Sequence, residues 1–178
     1  MQETVKFVSK GAAHVSVAAE ERPLNVTFVL LPKFTMLAFA AALEPLRMAN
    51  QLTGQVLFRW QVLSDDGLPV ACSNGVPIVV DGPWATAQPD GIVFVVSGVE
   101  PEGKASQALG DWLRALWRRG RIVGGLCTGA YALAAAGILK GRKFTLHWDN
   151  IPAFVEQHPD MPPARQVFCI DDRVMTCA

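Results

Sequence analysis

The sequence predicts an α/β domain, a mostly parallel central sheet covered by helices on both faces. Three observations predict it. Short apolar runs rich in β-branched residues, such as Leu24 to Leu31 and Gly91 to Ser97, alternate with longer stretches of helical period. These runs are mostly apolar on both alternating faces, as strands buried on both faces are. One strand-to-helix junction, Gly124-Gly125-Leu126-Cys127-Thr128-Gly129, sets a potential nucleophile between glycines.

Residues 1–22 have no clear period and read as a mobile leader, which leaves 23–178 as one domain. After the strand at Leu24 to Leu31, Pro32 to Thr35 turn the chain. Thr35 is the expected N-cap of a helix from Met36 to about Leu52, which Pro45 is expected to kink. Gln55 to Ser64 is the second strand, closed by the turn Asp65-Asp66-Gly67. Leu68 to Cys72 and Val76 to Val80 flank Ser73-Asn74-Gly75 as a small hairpin. After the strand at Gly91 to Ser97, a helix from about Lys104 to Arg119 puts Leu109, Trp112, Leu113 and Leu116 on one face. The arginines near its end read as a solvated helix terminus. Then come a strand at Arg121 to Leu126 and a helix at Thr128 to Leu139. A short strand at Lys143 to Leu146, a helix near Asn150 to Gln157, and strands at Gln166 to Ile170 and Arg173 to Cys177 complete the chain.

The bulk properties narrow the function. A chain of 178 residues, 51% of them hydrophobic, is one domain with a real core. Sixteen basic residues balance sixteen acidic ones, whereas a surface that grips phosphates is visibly basic. The chain alone is therefore a poor nucleic-acid binder. Cys72, Cys127, Cys169 and Cys177 are scattered, with no C-x-x-C pair, and read as reduced thiols. With no apolar run long enough for a membrane span and no signal peptide, a cytoplasmic protein is expected. No pattern calls for a cofactor or a metal.

Gly125-Leu126-Cys127-Thr128-Gly129 has the spacing of a nucleophile elbow, with Cys where hydrolases often carry Ser. Small neighbours let strand and helix pack closely around a side chain held in a strained turn. N–H groups at a helix start stabilise negative charge, on a thiolate or on a bound carboxylate. His147 follows twenty residues later, at the end of a predicted strand, where its imidazole is expected near the thiol.

Gly125 to Trp148 (GLCTGAYALAAAGILKGRKFTLHW) resembles the ThiJ/PfpI-like domain that opens the GlxA branch of AraC-family transcriptional regulators. So do Phe34 to Gly54, Val95 to Val99, and Asp171 to Ala178, in the right order. The resemblance implies a flavodoxin-like three-layer α/β/α sandwich of the class I glutamine amidotransferase type. It also implies a homodimer, a ligand pocket above the elbow, and a C-terminal pair of helix-turn-helix motifs that binds DNA. No such module follows Ala178, so the chain is expected to be the sensory half.

Enzymes of the wider superfamily use the elbow cysteine with a histidine and an acid from the first helix. Cys127 and His147 match two of these positions, but Ala38 stands near the place of the acid. Glu44 lies almost two helical turns on, as a salt link or a ligand contact. The leading expectation is thus an effector pocket lined by Phe34, Ser97, Gly98, Cys127, Thr128, His147 and Trp148. In it the N–H groups of Gly98 and Thr128 hold an anionic group. Leu43 to Asn50 (LEPLRMAN) looks most like regulators of amino-acid or betaine catabolism, whose effector would rest a cation on Trp148. The alternative is a cysteine enzyme of hydrolase, hydratase or glyoxalase type acting through Cys127 and His147.

Overall fold

The computed structural model describes residues 15–16 and 23–178, so the expected leader lies almost wholly outside the described residues. The chain runs β1 (Leu24–Leu30), α1 (Met36–Thr53), β2 (Phe58–Ser64), a two-stranded excursion β3 (Val70–Ala71) and β4 (Pro77–Ile78), and β5 (Gly82–Pro83). Next come β6 (Ile92–Val96), α2 (Gln107–Arg118), β7 (Ile122–Leu126), α3 (Ala130–Ala135), α4 (Ile151–Gln157), β8 (Phe168–Asp171) and β9 (Val174–Cys177). The main sheet has the order β5-β2-β1-β6-β7-β9-β8. Every pairing in it is parallel except the hairpin of β8 with β9. The five strands β2-β1-β6-β7-β9 reproduce the 2-1-3-4-5 order of flavodoxin-like folds, in which ligands bind beyond the carboxyl ends of the strands.

Alternation along each strand divides the core in two. Val26, Phe28 and Leu30 of β1 face one side with Phe39 of α1 and the small hairpin. Val29 faces the other with Val93, Val95 and Val123, under Leu109, Leu113 and Leu116 of α2, the apolar face of α3, and Phe154 of α4. Helices on both faces explain why the central strands carry unbroken apolar runs. Asn50 holds α1 to the sheet. Its side chain is 2% exposed, donates to the Phe58 carbonyl at 2.8 Å, and accepts the N–H groups of Leu57 and Phe58 at 2.8 and 3.0 Å.

Two expectations are corrected. No strand forms at 143–146. β7 has β6 on one side and β9 on the other, so no ladder is free there. The segment instead crosses the strand ends, tied by Thr145, whose N–H donates to Thr176 Oγ1 and whose hydroxyl donates to the Gln166 carbonyl. α3 is only six residues long, well short of the span 128–139. α1 carries Pro45 within its span, as the sequence placed it. Among the described residues, no helix is long and apolar enough to cross a membrane. No group of three or more His, Cys, Asp or Glu gathers there as a metal would require.

Candidate functional site

The carboxyl ends of β1, β6, β7 and β9 converge on the elbow. Cys127 is a non-glycine residue at φ 57°, a left-handed conformation that costs roughly 1–3 kcal/mol and persists only where its surroundings fix it. They do so from two sides. Its N–H donates to the Cys177 carbonyl at 2.9 Å, and its carbonyl accepts the His147 N–H at 3.1 Å. Gly129 explains the other half of the turn. A Cβ there would lie 2.1 Å from the Val95 carbonyl oxygen, so only glycine admits this approach of α3 to β6.

Beside the elbow, Phe34 and Gly98 form an isolated antiparallel bridge. Thr35 N–H donates to Ser97 O, and Val99 N–H donates to Lys33 O, both at 3.2 Å. A Cβ on Gly98 would lie 2.4 Å from Lys33 O, so the two loops touch backbone to backbone. The buried Thr128 hydroxyl donates to the Gly98 carbonyl at 2.7 Å and locks the bridge to the elbow. The N–H groups of Gly98 and Thr128 find no acceptor among the described residues. The hydroxyl of Ser97, 1% exposed, is likewise without a partner there.

A cleft of about 560 Å³ opens over the cysteine. One wall is the first half of α1, with Thr35, Leu37, Ala38, Ala41 and Ala42. The opposite side is made by Leu126, Cys127, His147, Trp148, Cys177 and Ala178. Among the described residues no Asp, Glu, Lys or Arg lines it. The Cys127 sulfur lies 3.4 Å from the Thr35 hydroxyl, its one hydrogen-bond partner among the described residues. Thr35 does sit at the N-cap of α1, yet its side chain caps nothing and is turned to the thiol instead. The His147 ring stacks on Trp148 at 5.6 Å, and Trp148 is 71% exposed. Glu44 makes its salt link with Arg47 at 2.7 Å, on the exposed side of α1.

The seven expected pocket residues therefore divide. Cys127, His147 and Trp148 line the cleft. Phe34 is wholly buried and packs edge-on against Phe39 at 5.9 Å. Ser97, Gly98 and Thr128 adjoin the elbow without lining the cleft. His147 reaches the site from an irregular crossing segment, not from a strand end. Sequence reasoning missed Thr35, the small residues Ala41 and Ala42, and Cys177. The signal was present in part, since Ala38, Ala41 and Ala42 stand at i, i+3 and i+4 on one helix face.

The sequence profile of the DJ-1/PfpI family matches residues 28–177. Among characterised proteins, the chain is 44% identical over 151 residues to the HTH-type transcriptional regulator CdhR of Pseudomonas aeruginosa, covering 85% of this chain and 45% of that protein. It is 40% identical over 149 residues to the HTH-type transcriptional regulator GbdR of the same species, covering 84% of this chain and 41% of that one. The chain thus spans less than half the length of these relatives. A crystal structure of an AraC family transcriptional regulator from Pseudomonas putida superposes with a TM-score of 0.75 at 27% identity, covering 88% of this chain and 84% of that one.

Proposed function

We propose, from the premise that the chain belongs to the DJ-1/PfpI family, that it is the ligand-sensing and dimerising domain of a transcriptional regulator. Relatives named as HTH-type regulators support the regulatory reading. Contact with DNA then falls to another part of the whole protein, in keeping with the balanced charge of this one.

One observation carries the reading of the site. The cleft over Cys127 has apolar walls and an exposed aromatic face, and among the described residues no Asp or Glu side chain stands on it to serve as a catalytic acid or base. Three polar groups beside the elbow lack partners among the described residues, the N–H groups of Gly98 and Thr128 and the Ser97 hydroxyl. Buried polar groups without partners are costly, and an anionic ligand is the species that satisfies several donors at once. The effector that fits is a small amino acid or betaine. Its cation would rest on Trp148, and its carboxylate would be directed from the cleft past Cys127 toward the N–H groups that adjoin the elbow.

A thermal-shift screen of amino acids and betaines tests this. A true effector raises the melting temperature, and the response is lost in His147→Ala and Cys127→Ala. If no such compound shifts the melt, while Cys127→Ser abolishes turnover of a small amide, carbonyl or isocyanide by the native chain, the cysteine-enzyme reading replaces it. Sedimentation of the purified chain tests the homodimer.

A further inference from the structure

The cleft holds two thiols. Cys177 ends β9 and stands in register with Leu126, the residue before Cys127. Partners in a parallel ladder present their side chains to the same face, and Leu126 and Cys177 both pack on the α1 side of the sheet. In a continuing strand Cys127 would point to the opposite face. Its φ of 57° breaks that alternation and brings its sulfur to the Thr35 hydroxyl at the head of α1. Both cysteines therefore open into the same cleft.

Their backbones are joined directly, because the Cys127 N–H donates to the Cys177 carbonyl at 2.9 Å. With ordinary bond lengths that contact limits the distance between the two Cα atoms to at most about 6.8 Å, within the span of a disulfide. Burial pushes the Cys177 thiol up, and the neighbouring Cys127 adds to the shift, so the two sulfurs feel one another. The remaining cysteines are placed elsewhere. Cys72 bonds to Asn74 Oδ1 at 2.7 Å and to the Val76 carbonyl at 2.9 Å, and Cys169 is buried beside Gln166.

We propose that Cys127 and Cys177 form a reversible disulfide that closes the cleft, with a hydroperoxide as the oxidant. The Cys127 thiolate attacks the peroxide oxygen. Its sulfur is oxidised to sulfenic acid, and hydrogen peroxide is reduced to water. Cys177 is the second thiol because its backbone carbonyl is bonded to the Cys127 N–H and its side chain opens into the same cleft. On losing its proton it attacks the Cys127 sulfur, the S–O bond breaks, and the oxygen leaves as a second water. Two thiols and one hydrogen peroxide become one disulfide and two waters. An external dithiol reverses the step. The proposal concerns the two thiols and does not need the cleft to bind an effector.

The test is peptide mapping of the native chain after brief exposure to hydrogen peroxide and trapping of free thiols with N-ethylmaleimide. Cleavage after Arg121, Lys140 and Arg173 releases Ile122 to Lys140 and Val174 to Ala178, each with a single cysteine. The expected product is these two peptides joined, two hydrogens lighter than their sum, and separated again by dithiothreitol. In Cys177→Ser the link is absent and Cys127 proceeds to sulfinic acid. The reading is taken on the native chain, so it stands even where that variant does not fold. The proposal is overturned if the native chain yields Cys127 as sulfinic acid with Cys177 carrying maleimide. It is equally overturned if Cys72 or Cys169 is linked as often as the proposed pair.

Discussion

Gly129→Ala is the most direct challenge to the account of the elbow. The new Cβ would lie 2.1 Å from the Val95 carbonyl oxygen, 2.8 Å from the Leu126 nitrogen and 2.9 Å from the Gly125 Cα, all of them backbone atoms. An ordinary contact begins near 3.4 Å, so β6 and α3 must part by about 1 Å, and no side chain can rotate away to allow it. Overpacking of this kind costs about 1–3 kcal/mol, and a weakened rung between β6 and β7 adds about 1 kcal/mol. The sum, about 2–4 kcal/mol, is a large share of the roughly 5–15 kcal/mol that holds such a domain folded. Urea unfolding followed by circular dichroism measures it. Gly110→Ala is the control. It lies inside α2, and its Cβ would meet Ala136 at an ordinary 3.6–3.8 Å. That change stabilises by up to about 1 kcal/mol, since alanine suits a helix better than glycine. A loss below about 1 kcal/mol for Gly129→Ala, with an unchanged denaturant slope, would refute the packing argument.

Ser97→Ala removes a buried hydroxyl that has no partner among the described residues, and stability in the absence of ligand rises by about 1 kcal/mol. The thermal response to an effector falls in the same variant, which separates a ligand contact from a structural one. Burial, with a smaller contribution from Glu102, pushes the single tyrosine, Tyr131, up to about 12. The folded chain therefore keeps a proton that the unfolded chain sheds near pH 10. The stability from this group is complete below about pH 10 and is lost as pH rises toward 12. Ultraviolet titration of the phenol gives the folded value directly, and Tyr131→Phe flattens the alkaline fall in melting temperature. Because no Asp, Glu, Lys or Arg among the described residues lines the cleft, effector affinity changes less than about twofold between 0.1 and 1 M salt. Calorimetric titration reads this, and a tenfold loss points to charged contacts outside the cleft.

Most of the fold was legible because it rests on local signals. The strands at the centre of the sheet are apolar runs bounded by turns, and α2 carries its apolar face at helical spacing and a true N-cap in Ser106, which accepts from the Leu109 N–H. The segment 143–147 was not, because Lys143 to Leu146 has the composition of a strand but no vacant ladder to join. Which strand occupies the place beside β7 is decided by residues far along the chain, and local pattern does not carry that. Cys127, His147 and Trp148 were legible through the elbow and its neighbours. Thr35 was placed correctly at the N-cap, but its contact with the thiol was not legible, for a physical reason. A threonine before a helix signals a cap, and only the folded chain shows that its hydroxyl is turned to a sulfur 92 residues away.

The short α3 alters the basis of recognition at Cys127. A helix from Thr128 to Leu139 would bring an appreciable dipole to the elbow, but six residues from Ala130 to Ala135 bring much less. Any selectivity for an anion must then come from short-range donors, and the N–H groups of Gly98 and Thr128, without acceptors among the described residues, are the ones in place. Their positions are set by contacts that leave little freedom. The Phe34–Gly98 bridge admits no side chain at Gly98, and the Thr128 hydroxyl ties that bridge to the turn that holds Cys127. A ligand that draws on these donors pulls at once on the head of α1 through Thr35, whose N–H binds Ser97 O and whose hydroxyl meets the thiol. α1 is also the wall of the cleft and carries exposed Leu37 and Met48 on its surface. The element that would feel a ligand in the cleft therefore also carries Met48, an exposed apolar side chain beyond the cleft wall.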